Sequence, residues 1–264
     1  MSSPADPFLS VLSLVCRIRV PSPQEPDYSR ADFFLPVIGI LPGLTALAAW
    51  RLGSILVPGP WLPALFSLAA QYLAFNLFHL DGLADSADAG LGAATPERRL
   101  EILKDPRAGV YGLFAVFLAL GFRVAALSAL GGRPGFAAVL LAAPVAGRFA
   151  AALVPLAAKP ARPDGLGARM RDFSPPAVAA GLLAGLAPAF LAVLAGSAGE
   201  GRVLAGILGI GAGALAAGLA AGLCTAVFYR RRFGGFTGDA LGAAVELGEL
   251  LFLLGACSAA GGAG

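Results

Sequence analysis

Hydrophobic and polar positions in this chain alternate on the scale of whole helices rather than single turns. Seven apolar runs, 33–57, 61–80, 108–130, 135–158, 177–196, 203–228 and 240–258, approach the roughly 20 residues that carry a helix across a bilayer's hydrocarbon layer. The first contains Pro36 and Pro42, which predict a kink, and Pro58 and Pro60 punctuate its end. Ahead of it, MSSPADPFLSVLSLVC has no basic residue before its apolar stretch and no small-residue cleavage pattern after it. It therefore reads as a retained surface or re-entrant helix, not a signal peptide. Between the second and third runs, Thr95, Pro96 and Glu97 form a capped, acidic first turn and predict a short amphipathic helix to about Lys104, stopped by Asp105-Pro106. The expected fold class is all-α: a polytopic transmembrane helix bundle of about seven spans, with a short N-terminal helix and a cytoplasmic amphipathic helix. One integral-membrane domain covers 1–264.

Composition agrees with the pattern. The chain is 58% hydrophobic and 13% charged, against roughly 25% charged in an ordinary soluble domain, and its mean hydropathy is +0.79. The lipid bilayer is thus its first partner, and nothing points to nucleic acid. Cys16, Cys224, Cys257 and the single His79 lie too far apart in sequence for a thiolate or imidazole metal site, so the cysteines read as small apolar fillers. The 36 glycines permit close helix approach within a bilayer.

Charge between the runs sets the orientation. Arg17, Arg19 and Arg30 precede the first run; Arg98, Arg99, Lys104 and Arg107 lie in loop 81–107. Lys159, Arg162, Arg169 and Arg171 occupy loop 159–176, and Arg230, Arg231 and Arg232 loop 229–239. These 14 basic residues share one side, and only Arg133 and Arg202 lie on the other, so the positive-inside rule makes the first side cytoplasmic.

The unusual polar chemistry collects in those same loops. In HLDGLADSADAG, 79–90, Asp81, Asp85 and Asp88 are spaced i, i+4, i+7 and share a face if the helix of the second run continues through them. Three carboxylates so placed repel unless a cation sits among them, and oxygen-only donors suit Mg²⁺; three solvated aspartates in a capped loop are the bland reading. His79 falls on another face, as a general base, a hydrogen-bond donor or an interfacial side chain. KDPRAG brings Lys104, Asp105 and Arg107 to the membrane surface, where Lys and Arg suit a diphosphate or a simple positive anchor. Within the spans, Arg123, Arg148, Glu246 and Glu249 are costly at depth; Arg148 suits either pairing with the two glutamates or substrate contact. In RRRFGGFTGDALGA, 230–243, Thr237 or Asp239 can cap the seventh helix, whose N-terminus then favours an anion. The stretch lacks the Lys-Ser/Thr end of a Walker sequence.

Taken together, these stretches resemble the cobalamin synthase family, the adenosylcobinamide-GDP ribazoletransferases. The resemblance rests on RIRVPSP (17–23), HLDGLADSADAG (79–90), ERRLEILKDPRAGVYG (97–112), Gly147-Arg148 with the later arginine-containing loop, and RRFGGFTGDALGA (231–243). They stand in the family's order over nearly the whole chain. One departure is Ala89, where the family usually has glycine after the third aspartate; alanine restricts a backbone that glycine leaves free.

The resemblance implies a Mg²⁺-dependent, phosphotransferase-type enzyme of the inner membrane with cytoplasmic active-site loops. It would join adenosylcobinamide-GDP to α-ribazole or its 5′-phosphate, giving adenosylcobalamin or its 5′-phosphate and GMP, the last step of nucleotide-loop assembly. On this reading Asp81, Asp85 and Asp88 hold the metal, and Asp239 completes the site from the facing loop. Substrate is held by Lys104, Asp105, Arg107, Arg148, Thr237 and Gly238, with Lys104 and Arg107 neutralising the departing GMP. Asp88 or His79 accepts the proton of the attacking hydroxyl. A homo-oligomer, or association with other corrinoid-pathway enzymes, is left open. The competing classes are a CDP-alcohol phosphotransferase-like enzyme with another acceptor and a secondary transporter, which would place its polar residues near the midplane.

Overall fold

The computed structural model describes residues 5–21, 23–92, 94–196 and 199–261. Ser22 of the RIRVPSP stretch and residues 1–4 of the N-terminal segment lie outside the described residues. The protein is all-helical, with no strand among the described residues and one isolated bridge between Pro160 and Phe236.

In chain order the helices are α1 (Asp6–Val15), α2 (Ala31–Ile38), α3 (Ile40–Leu56), α4 (Trp61–Gln71), a π-helical turn (Tyr72–Asn76), α5 (Leu77–Leu91) and α6 (Pro96–Ile102). They continue with α7 (Val110–Leu130), α8 (Phe136–Ala157), α9 (Leu166–Arg169), α10 (Pro175–Gly196), α11 (Glu200–Phe233) and α12 (Gly238–Gly261). Seven units are long and apolar enough to span a membrane: α2 with α3, α4 through α5, then α7, α8, α10, α11 and α12. The break between α2 and α3 falls at Gly39, between the two prolines that predicted it. Helix α1 buries Val11, Leu12 and Val15, and the Arg17 N–H that follows donates to the Ala74 carbonyl in the π turn at 2.9 Å. It is therefore packed into the bundle.

Two spans outrun their apolar runs. The second continues through the expected loop to Leu91, because Leu83, Ala87 and Ala89 keep an apolar face buried while the aspartates occupy another. The sixth continues through Arg230–Arg232 to Phe233, where Tyr229 and Phe233 stack at 4.5 Å and Gly234 ends the helix with φ +76°. Hydropathy stops at the first cluster of charges; the helix stops at its cap.

Helix α8 is the hub, buried along nearly its whole length and packed most heavily on α12 and α11. Its small residues make this possible: a Cβ on Gly147 would meet the Val245 carbonyl at 2.5 Å, and one on Gly248 would meet Gly147 Cα at 2.9 Å.

The spans are locked by a polar network at depth. Arg123 of α7 pairs with Glu246 at 3.1 Å and Glu249 at 3.2 Å, and Arg148 of α8 pairs with Glu249 at 3.0 Å. Gln71 and Asn76 donate to Glu249 at 2.7 and 3.0 Å, Tyr72 donates to Glu246 at 2.6 Å, and Arg148 donates to Asn76 Oδ1 at 2.8 Å. Two positive charges meet two negative ones away from water, so loss of one partner leaves a buried charge and costs about 3–5 kcal/mol. The π turn presents Tyr72 and Asn76 to α12, an instance of a π segment at a place where side chains must be re-aimed. Because α4–α5 and α12 also carry Asp81–Asp88 and Asp239, the network fixes the relative placement of those carboxylates.

Candidate active site

Asp81, Asp85 and Asp88 project from α5, and Asp239 lies in the first turn of α12. The two helices cross closely through glycine: a Cβ on Gly82 would meet the Asp239 carbonyl at 2.9 Å, and one on Gly242 would meet the His79 carbonyl at 3.0 Å. Asp85 consequently lies within electrostatic range of Asp81, Asp239 and Asp88. Among the described residues, no arginine or lysine forms an ion pair with Asp81, Asp85 or Asp239. Nor do three His, Cys, Asp or Glu side chains converge tightly enough there to hold a metal by themselves. A hard-oxygen site left open in this way fits Mg²⁺, which commonly takes one or two carboxylates and completes its shell with water and substrate phosphate.

Asp88 is differently placed. Its Oδ2 accepts the Gly109 N–H at 2.7 Å and its Oδ1 accepts the Gly112 N–H at 2.9 Å. The carboxylate thus satisfies free donors at the start of α7, where negative charge is favourable. Gly109 and Gly112 are glycines because a Cβ on either would collide with the Asp88 carboxylate. This bond pair docks the KDPRAG loop on α5. Ala89 is fully buried in a helical turn, where alanine fits, whereas Gly90 has no room for a side chain beside Phe228.

Arg99 is the residue whose role the sequence pattern concealed. It reads as one more positive-inside cation, yet it is buried and closes the end of α5. Its Nη1 donates to the Ala89 and Gly90 carbonyls at 2.6 and 2.7 Å, Nη2 to Gly92 at 2.7 Å and Nε to Ala94 at 3.1 Å. The C-cap Gly92 is extended (φ −68°) instead of left-handed, so the guanidinium supplies the donors for the last carbonyls of α5. Helix α6 begins as expected, with the Arg98 N–H donating to Thr95 Oγ1 at 3.3 Å. It ends at Ile102, so Lys104 lies beyond it, exposed.

Arg107 is exposed and donates from Nε and Nη2 to Asp105 at 2.9 and 2.6 Å. These bonds hold the Asp105 carboxyl down at about 2. Asp105 therefore parks the Arg107 fork at the surface.

The turn before α12 is anchored by backbone pairing. The Phe236 N–H donates to Lys159 and its carbonyl accepts from Ala161, at 2.9 and 2.8 Å. Thr237 Oγ1 donates to Asp239 Oδ2 at 3.0 Å, and Gly238 is the first residue of α12. The pairing brings Arg162 into electrostatic range of Asp239 and lets it donate to the Leu100 carbonyl at 2.5 Å, joining this loop to α6. Arg162, like Arg99, carries no motif that marks it.

Two expected site residues are not gathered with these groups. Arg148 is fully buried and engaged by Glu249, Asn76 and the Pro144 carbonyl, which is the pairing alternative. His79 is 3% exposed, with Nδ1 unpartnered, on the side of α5 that faces α12 and the buried arginines.

Comparison with known proteins gives the family. The adenosylcobinamide-GDP ribazoletransferase of Bradyrhizobium diazoefficiens is 38% identical over 226 residues, 86% of this chain and 82% of that protein. Those of Citrobacter koseri and Klebsiella pneumoniae are each 36% identical, covering 94% of this chain and 97% of theirs. No solved structure matches. The family model described as cobalamin-5-phosphate synthase matches residues 7–257, which include every carboxylate and cation described above, and the chain belongs to that family.

Proposed function

We propose that this protein joins adenosylcobinamide-GDP to α-ribazole or its 5′-phosphate at the cytoplasmic face of the inner membrane, releasing GMP. The carrying observation is the meeting, at one end of the bundle, of Asp81 and Asp85 from α5 with Asp239 from α12, beside a docked basic loop.

The acceptor hydroxyl attacks the phosphorus nearer the corrinoid; the new P–O bond forms as the bond to GMP breaks, and the hydroxyl proton leaves. Such a transfer needs positioning and charge neutralisation more than covalent help from the protein. Asp239 with one of Asp81 and Asp85 would hold Mg²⁺, which when bound would neutralise the diphosphate. Asp88 keeps the Lys104–Arg107 loop against α5, and that loop grips the departing GMP once Arg107 exchanges Asp105 for phosphate. Thr237 orients Asp239, and the α12 N-terminus faces the anion. Asp88, with both oxygens engaged, and the enclosed His79 are poor proton acceptors, so the proton goes to a carboxylate without backbone partners, Asp81 or Asp85.

The test uses membranes containing the protein, GDP-activated cobinamide and either α-ribazole or its 5′-phosphate, with and without Mg²⁺, and follows GMP. Mg²⁺-dependent GMP matched by corrinoid product is expected. GMP no higher than in membranes lacking the protein would overturn the assignment.

A further inference from the structure

We propose that the end of the bundle opposite the carboxylates holds one phospholipid, its acidic headgroup at Arg133 and Arg202 and an acyl chain in the cavity beneath them. A cavity of about 640 Å³ opens between α8, α10, α11 and α12, with both arginines among its lining residues and Val139, Val193, Ile210 and Phe252 on its apolar walls. Its volume falls in the range of sites that take small molecules, roughly 300–1,000 Å³.

The glycines around it divide into two kinds. A Cβ on Gly206 would meet Val193 Cγ1 at 2.7 Å, and one on Gly213 would meet Phe252 at 3.2 Å, so helix packing accounts for both. A Cβ on Gly209 of α11 or Gly255 of α12 would meet nothing within 4 Å, although both line the cavity. Glycine within a helix costs about 1 kcal/mol relative to alanine, and at these positions no contact inside the chain offsets it. They keep open a space that the described residues do not fill.

The surroundings select the occupant. On α10 and α11 the leucines at 191, 194, 204 and 208 are more than half exposed, so the flanks face hydrocarbon and a lipid chain is what adjoins the opening. Arg133, in the turn between α7 and α8, and Arg202, in the first turn of α11, both sit at this one opening. Arg133 uses Nη1 on the Ala260 carbonyl at 3.0 Å, which leaves other N–H groups for a phosphate. Cations at headgroup depth above an apolar slot match an anionic lipid. A second copy docking by the same face would instead bring arginine against arginine.

The test purifies the protein from nanodiscs of equimolar phosphatidylcholine and phosphatidylglycerol, washes it in detergent and counts retained phospholipids by mass spectrometry. The wild type is expected to keep one phosphatidylglycerol per chain. Gly209→Leu, whose Cβ would meet nothing within 4 Å and whose side chain would enter the slot, should lose it while retaining thermal stability and GMP release. The pair Arg133→Gln with Arg202→Gln should lower the preference for phosphatidylglycerol over phosphatidylcholine by about tenfold. Equal retention by wild type and Gly209→Leu would mean annular lipid only and overturn the proposal. So would a wild type with no headgroup preference, or a dimer in the same nanodiscs that Gly209→Leu abolishes.

Discussion

Replacing Asp88 and Asp85 separately by asparagine distinguishes a carboxylate that docks a loop from one that binds metal. Asp88 receives one backbone N–H on each oxygen, from Gly109 at 2.7 Å and Gly112 at 2.9 Å. Asparagine keeps one acceptor and turns an NH₂ group toward the other N–H, so one charge-assisted bond is lost and a donor faces a donor. The expected cost is about 2–3 kcal/mol, within the range for hydrogen bonds to charged groups. Expressed on loop docking, that cost limits the fall in GMP release to a factor of roughly 30–150. The fall should come with a lower unfolding midpoint in detergent and an unchanged Mg²⁺ half-saturation. Asp85 has no comparable partner, so Asp85→Asn should leave the midpoint within about 0.5 kcal/mol of wild type and raise the Mg²⁺ requirement. Asp88→Asn that shifts the Mg²⁺ requirement and spares the midpoint would refute the division of roles.

Three further outcomes follow from other contacts. Glu249→Ala removes the partner of Arg148 and one partner of Arg123 and should cost about 3–5 kcal/mol, read as loss of monodisperse protein on size exclusion; Glu249→Gln, which preserves the shape, should retain part of the yield. Arg99→Lys should recover little of the stability lost in Arg99→Ala, because one ammonium cannot span the four carbonyls that the guanidinium fork reaches; equal thermal midpoints for Lys and wild type would contradict this. Alkaline phosphatase inserted at residue 133 should be active and at residue 165 inactive; the reverse would invert the orientation.

The fold was largely legible because a span is a matter of length and hydropathy, and every run contains a helix at its expected place. The ends were not legible, since hydropathy cannot follow α5 past Asp81 or α11 past Arg230 when only one face turns polar. At the site, spacing alone aligned Asp81, Asp85 and Asp88 but could not reveal that Asp88 turns toward α7. That depends on the meeting of two segments some twenty residues apart. Gly109 and Gly112 were visible as glycines, and their reason, a carboxylate lying where their side chains would be, exists only in three dimensions. Arg99 and Arg162 look like any loop cation until the carbonyls they reach are placed.

The distribution of compensated and uncompensated charge separates the two enzyme readings from transport. At membrane depth two arginines meet two glutamates, with Tyr72, Gln71 and Asn76 sharing the remaining bonds, so the cluster carries no net charge. A transport site must release its ion pairs in each cycle, and here the pairs tie α7 and α8 to α12, three packed helices of the core. At the end of the bundle that carries the α5 aspartates the balance is reversed: among the described residues Asp81, Asp85 and Asp239 have no ion-pair partner, and Arg107 is held by Asp105. Repulsion among those carboxylates is tolerated because α5 and α12 are fixed by the buried pairs below them. On the proposed function, the same repulsion would be relieved when a cation and its phosphate ligand arrive together, so the favourable step of binding would fall at that end of the bundle.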